Sequence, residues 1–155
     1  LDPAARFFLP YTLFHRLTHA DADFVDIIHS SNHIQGFGEE KPMGDLDFYP
    51  NGGKSQPQCE KESKSASFLT KRICNHSAAI SYFLQSVNSS KCNFLASKCD
   101  SYSDFQKGLC SNDSSPTAEM GQPAKPISGL PPKSEFFLRT SPSQPYCLQG
   151  SYESK

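Results

Sequence analysis

The chain has 155 residues, enough for one domain with a core of its own, yet only 36% are hydrophobic, 12 are proline and the mean hydropathy is -0.54, which describes a loop-rich protein. Fifteen basic and 16 acidic residues leave a net charge of -1, so nothing in the charge pattern draws in nucleic acid or an anionic membrane surface. No apolar run approaches the roughly 20 residues that span a bilayer, which excludes a transmembrane segment in this sequence.

In chain order, "LDPAARFFLPY" from Leu1 to Tyr11 is punctuated by Pro3 and Pro10 and reads as a loop. "DFVDIIHS", ending at Ser30, has the β-branched and aromatic density of a buried strand. "NHIQGFGEEKPMG" is a loop by its glycines and Pro42, and "DLDFYPNGG" is a second strand with Leu46 and Phe48 on one face, closed by an Asn-Gly turn. The 14 residues between Cys59 and Cys74 begin Ser/Lys-rich and end with Phe68, Leu69 and Ile73. Beyond them Ala79, Ile80, Phe83, Leu84 and Val87 share a single apolar face on a helix of about three turns. Asn75 is the expected N-cap, which puts His76 in the first turn. From Ser111 to Pro145 the chain is Ser/Pro-rich and irregular except for "SEFFLRT", a strand. No internal repeat is present.

Six cysteines, at 59, 74, 92, 99, 110 and 147, include no Cys-x-x-Cys pair, so disulfides are a better reading than a zinc or thioredoxin-type site. Sequons at Asn75, Asn88 and Asn112 agree with an oxidising, secreted, extracellular setting, although a glycan on the first would crowd His76. The sequence opens on Leu1, so the leader of a secreted protein is expected upstream of it. Among the five histidines, 15, 19, 29, 33 and 76, a first-turn position would hold His76 neutral near pH 7, the state a general base needs. For each of them a surface or hydrogen-bonded structural role is the competing reading.

Four segments carry more than their spacing. "LDPA" at 1–4, "RLTHADADFVDIIHS" at 16–30, "GDLDFYPNGG" at 44–53 and "CNHSAA" at 74–79 resemble, in this order, the pancreatic lipase family. The resemblance is strongest from Leu1 to about Cys110 and resumes at "MGQPA" and "SEFFLRT". It implies an α/β-hydrolase fold, here partial: residues 1–155 would be the C-terminal portion of the catalytic domain, without the nucleophile half and without a lipid-binding β-sandwich. Such a piece leaves a sheet edge and part of a core uncovered, so it is not expected to fold independently.

The resemblance makes Asp2 the triad acid and His76 the triad base. No serine lies in a Gly-x-Ser-x-Gly context, and in α/β-hydrolases the nucleophile precedes the acid and the base, so this stretch alone is expected to lack hydrolase activity. The same resemblance implies disulfides Cys59 to Cys74 and Cys99 to Cys110, leaving Cys92 for Cys147. The first would bound the active-site lid, and closing a loop of about 15 residues contributes roughly 3 kcal/mol in the chain-entropy model. "IQGFGEEKPMG" looks like a second flap beside the entrance. A lid this short is closer to phospholipase A1 members than to triacylglycerol lipases, and "PYCLQG" is similar to the terminus of arthropod venom phospholipases A1.

The family's calcium site is broken: Arg16 and Asp21 match it, but Leu13 replaces a Glu and Thr18 an Asp, so no metal and no cofactor is expected. The expected protein is a secreted, monomeric serine esterase acting on phospholipid or glyceride at a lipid interface, most simply a phospholipase A1. The alternatives are a triacylglycerol lipase and a lipase-like binding or storage protein that has lost its nucleophile.

Overall fold

The computed structural model describes residues 1–5, 16–34, 36–62, 67–87, 93–110 and 115–148. Five strands form one mixed sheet in the order β1-β2-β5-β3-β4, where β1 is Asp26–Ile28, β2 Leu46–Pro50, β3 Leu95–Lys98, β4 Thr117–Glu119 and β5 Ser134–Leu138. β1, β2 and β5 run parallel, with Ile28 beside Phe48 and Phe48 beside Phe136, whereas β3 is antiparallel to both β5 and β4.

The three parallel strands are those that the apolar runs predict. β2 is buried along its whole length, as a parallel strand covered on both faces must be. On one face Ile28, Leu46, Phe48, Phe136 and Leu138 meet the long helix α2, Phe68–Ser86. On the other, Tyr49, Phe137 and Cys99 meet Tyr102 and Phe105 of the short helix α3, Tyr102–Gln106. β2 ends in the expected turn, where Asn51, Gly52 and Gly53 all take positive φ (55°, 78° and 66°). A side chain at Gly53 would strike the Tyr49 ring at 2.7 Å, so the turn tolerates nothing larger than glycine there.

Helix α2 differs from its expectation in start and in facing. Its N-cap is Ser67, whose hydroxyl accepts from the Thr70 amide, so the apolar end of the Cys59–Cys74 interval is already helical. The buried face is Asn75, Ala78, Ala79, Tyr82 and Ser86, while Ile80, Leu84 and Val87 are exposed. Small residues at 78 and 79 bring the helix close to the sheet, and the Tyr82 hydroxyl lies within reach of Gln56, Gln58 and Thr140. Burial pushes that phenol up to about 12.

The segment 111–145 is less irregular than its composition suggests. β4 lies within it because Ala118 pairs with Ala96 and, with Met120, is buried in the main core. Helix α1, Pro57–Glu62, carries Cys59 and is joined to α2 by the Cys59–Cys74 disulfide. Cys99 pairs with Cys110; Cys92, the expected partner of Cys147, lies outside the described residues. Among the described residues no helix is long and apolar enough to cross a membrane.

Candidate active site

Two carboxylate and imidazole pairs form beside β1, one between the N-terminal segment and α2 and one between the end of β1 and β2. At the end of β1 the chain passes through His29, Ser30 and Ser31, all fully buried. The N-terminal segment lies across this end, with the Asp2 amide donating to the Ile28 carbonyl (2.7 Å) and the Glu39 amide to the Pro3 carbonyl (2.7 Å). Asp2 sits at φ 42°, a left-handed conformation that Asp tolerates better than most residues and that structures retain where the surroundings fix it.

What fixes it is the carboxylate. Asp2 Oδ1 accepts the amides of Ser30 (2.9 Å) and Ser31 (3.1 Å), and Oδ2 accepts the Ser31 hydroxyl (2.6 Å). The remaining direction of Oδ2 is taken by His76 Nδ1 at 2.6 Å. Because the carboxylate accepts, Nδ1 carries the hydrogen, and Nε2 is the basic nitrogen. The His76 side chain is one-third exposed against 1% for Asp2, so the acid is sealed in and the base faces outward. The imidazole makes no further hydrogen bond among the described residues; Phe37 stands edge-on to it at 5.9 Å.

His76 occupies the middle of α2 rather than its first turn, so the helix-terminus dipole does not act on it. Asn75 is likewise no cap. Its side chain is buried and accepts the Gln56 amide (2.8 Å), so a glycan at this sequon is incompatible with the packing. Asn88 and Asn112, the other two sequons, lie outside the described residues.

Close packing defines the opposite wall. A Cβ on Gly38 would sit 2.5 and 2.7 Å from the two Asp2 oxygens and 2.4 Å from the Ser31 carbonyl. Ser31 Oγ also accepts the amides of Phe37 (3.3 Å) and Gly38 (3.1 Å), which joins this loop to the acid. From α2, Arg72 donates to the carbonyls of Gly36 (2.9 and 2.6 Å) and His33 (3.0 Å) while stacking over Phe37 and Phe68. Phe68, Leu69 and Ile73 are exposed, so the first turns of α2 present apolar surface next to His76.

The second pair is buried outright. His29 Nε2 meets Asp47 Oδ1 at 2.8 Å, and Nδ1 meets the Glu39 carbonyl at 2.7 Å. A carbonyl only accepts, so Nδ1 carries a hydrogen and a further proton is shared between Nε2 and Asp47. With no exposed atom, the pair is a structural tie between β1 and β2 and offers no reactive nitrogen. His33 is at the surface and His15 lies outside the described residues.

The broken calcium motif forms something else. Thr18 caps the 3-10 turn His19–Asp21, and Asp21 Oδ2 returns to the Thr18 amide at 2.7 Å, a closed capping box. These donors do not fit a calcium ion, which takes six to eight oxygens and usually several carboxylates. Leu13 lies outside the described residues.

The structure brings Asp2 and His76 together and places Ser30, Ser31 and Gly38 around the carboxylate, three residues that the sequence does not single out. Ser30 closes the "RLTHADADFVDIIHS" segment and Gly38 lies in "IQGFGEEKPMG", but only the position of the two serines at the end of a strand points toward the carboxylate. The family model described as Lipase matches residues 1–146. Lipase member H of Oryctolagus cuniculus is 35% identical over 161 residues, covering 96% of this chain and 34% of that protein. Pancreatic triacylglycerol lipase of Cavia porcellus is 36% identical over 123 residues, covering 71% of this chain and 26% of that protein. Lipase member H of Danio rerio is 38% identical over 110 residues, covering 71% of this chain and 23% of that protein. The chain thus spans about a third or less of the length of these curated relatives. It belongs to the pancreatic lipase family.

Proposed function

We propose that the full-length protein is a secreted lipid carboxylic-ester hydrolase in which Asp2 and His76 are the acid and base of a Ser-His-Asp triad. The observation that supports it best is the 2.6 Å contact between a sealed carboxylate and the Nδ1 of a partly exposed imidazole. On this reading the nucleophilic serine comes from outside residues 1–155, on the other part of an α/β-hydrolase catalytic domain. His76 Nε2 takes the serine proton as the hydroxyl attacks the ester carbonyl and returns it to the leaving alcohol. Asp2 fixes the tautomer and stabilises the imidazolium that forms. No step requires a metal or cofactor.

Phospholipid is the preferred substrate class and triacylglycerol the second. Support comes from the Cys59–Cys74 interval, closed at a separation of 15 residues, which by the family resemblance is short for a lid and would leave the entrance open to a bulky head group. Arg72 ties the proposed flap to the lid side of α2, and Phe68, Leu69 and Ile73 would face acyl chains. A test is ester hydrolysis by the full-length protein on phosphatidylcholine vesicles and on triolein emulsion. Fatty acid release from the vesicles, lost in Asp2→Asn and His76→Ala, is expected. A folded wild-type protein inactive on both, yet retaining lipid by co-sedimentation, would establish the binding or storage alternative instead.

A further inference from the structure

We infer that Ser30 is a positioning residue that locks the His76 turn of α2 to the cradle of Asp2; the inference rests on the triad reading above. Each polar group of this fully buried residue is spent on the frame of the pair. Its amide donates to Asp2 Oδ1 at 2.9 Å. Its hydroxyl donates to the Asn75 carbonyl at 2.7 Å, lies 3.3 Å from the His76 carbonyl, and accepts the Ala79 amide at 3.2 Å. Its carbonyl accepts Gln56 Nε2 at 2.7 Å, and the Gln56 amide donates to Asn75 Oδ1 at 2.8 Å. A closed ring of hydrogen bonds, Ser30 to Asn75 to Gln56 and back, therefore surrounds the turn from which His76 projects.

The hydroxyl is the specific element. One hydrogen and two lone pairs let it give to one helical carbonyl and take from the amide four residues later, so it grips the turn on which His76 lies at both ends. Asp2 Oδ1 is held to the same residue through the amide. One side chain and its own backbone thus fix the acid and the base relative to each other, although they are 74 positions apart in sequence. Alanine at 30 keeps the amide and the carbonyl but releases α2, which can then shift along the sheet. A misplacement of about 1 Å at such a site costs on the order of 100-fold in rate.

The test uses full-length protein carrying Ser30→Ala, Ser30→Thr and Ser30→Cys, with Asp2→Asn and His76→Ala as references, assayed on a soluble short-chain ester. Ser30→Ala is expected to lower kcat about 10- to 100-fold with KM within twofold, because substrate contacts are untouched. Ser30→Thr keeps the hydroxyl and is expected within threefold of wild type; Ser30→Cys, with its weak donor, falls between. Thermal unfolding of each variant separates lost stability from lost alignment, and if Ser30→Ala does not fold, the Cys and Thr variants decide. Ser30→Ala or Ser30→Cys at wild-type kcat, with both references inactive, overturns the role of Ser30 and leaves the triad standing. Full activity in Asp2→Asn or His76→Ala overturns the triad reading, and this inference with it.

Discussion

A single methyl group at position 38 should disable the site without replacing any titratable group. In Gly38→Ala the added Cβ would lie 2.5 and 2.7 Å from the Asp2 oxygens and 2.4 Å from the Ser31 carbonyl, about 1 Å short of an ordinary contact of 3.4 Å. None of these neighbours is the free end of a flexible chain: the carboxylate is held by three donors and the carbonyl is backbone. Relief therefore moves Asp2 by about 1 Å relative to His76, enough to break a 2.6 Å hydrogen bond. Overpacking of this kind costs about 1 to 3 kcal/mol of stability, and a 1 Å displacement of a catalytic group about 100-fold in rate. Stopped-time ester hydrolysis by the full-length protein, with thermal unfolding measured on the same samples, should show kcat down about 100-fold and KM little changed. Gly129→Ala is the control: its φ of 84° makes it strained, but nothing lies within 4 Å, so stability falls and kcat stays. A folded Gly38→Ala protein with kcat within threefold of wild type would refute the placement of Asp2 in the reaction.

Other consequences follow from the same geometry. Glu135 is raised first by burial and then by Asp47 beside it across the β2–β5 register, so its charged form is disfavoured in the fold. A raised folded value means that its contribution to stability is full below the usual glutamate value and is lost as pH rises through the folded value. Glu135→Gln should accordingly raise Tm at pH 7 to 8, with the gain fading toward pH 4; a Tm difference independent of pH would contradict this. Tyr82→Phe removes a buried hydroxyl shared with Gln56, Gln58 and Thr140 and should cost about 1 to 3 kcal/mol in urea unfolding, since the partners stay buried. Peptide mass spectrometry of the full-length protein expressed through a secretory pathway should find Asn75 without glycan, because its side chain is buried against Gln56; a glycosylated Asn75 would show that α2 is packed differently.

The parts of the fold legible in the sequence are those in which a strong local signal and the tertiary structure agree. The apolar density around Ile27, Phe48 and Phe136 announces strands, and Asn51-Gly52-Gly53 announces its turn. β3 and β4 escape notice because "LASK" and "TAE" have little strand propensity and are held by pairing with β5 and with each other. Helix α2 misleads for a different reason. Ile80 and Leu84 are more hydrophobic than Ala78 and Ala79, but the sheet selects the small side, and periodicity cannot tell which of two apolar sides is covered. Asn75 looks like a cap because it precedes the apolar run, whereas its amide is needed in the ring with Gln56. The pairing of Asp2 with His76 is what the family resemblance implies, and chain spacing alone would not join residues 74 positions apart. Their holders, Ser30, Ser31 and Gly38, become visible only when β1, the N-terminal segment and α2 converge.

On the proposed reading Asp2 and His76 activate a serine supplied by the rest of the polypeptide. The most direct measurement is the rate at which a serine-directed phosphonate labels the full-length protein, with the site mapped by mass spectrometry, in wild type and in His76→Ala. Labelling of one serine outside residues 1–155, slowed by about 10,000-fold in the variant, is the predicted result. A label on a serine within residues 1–155, no label at all, or a rate indifferent to His76 would contradict it.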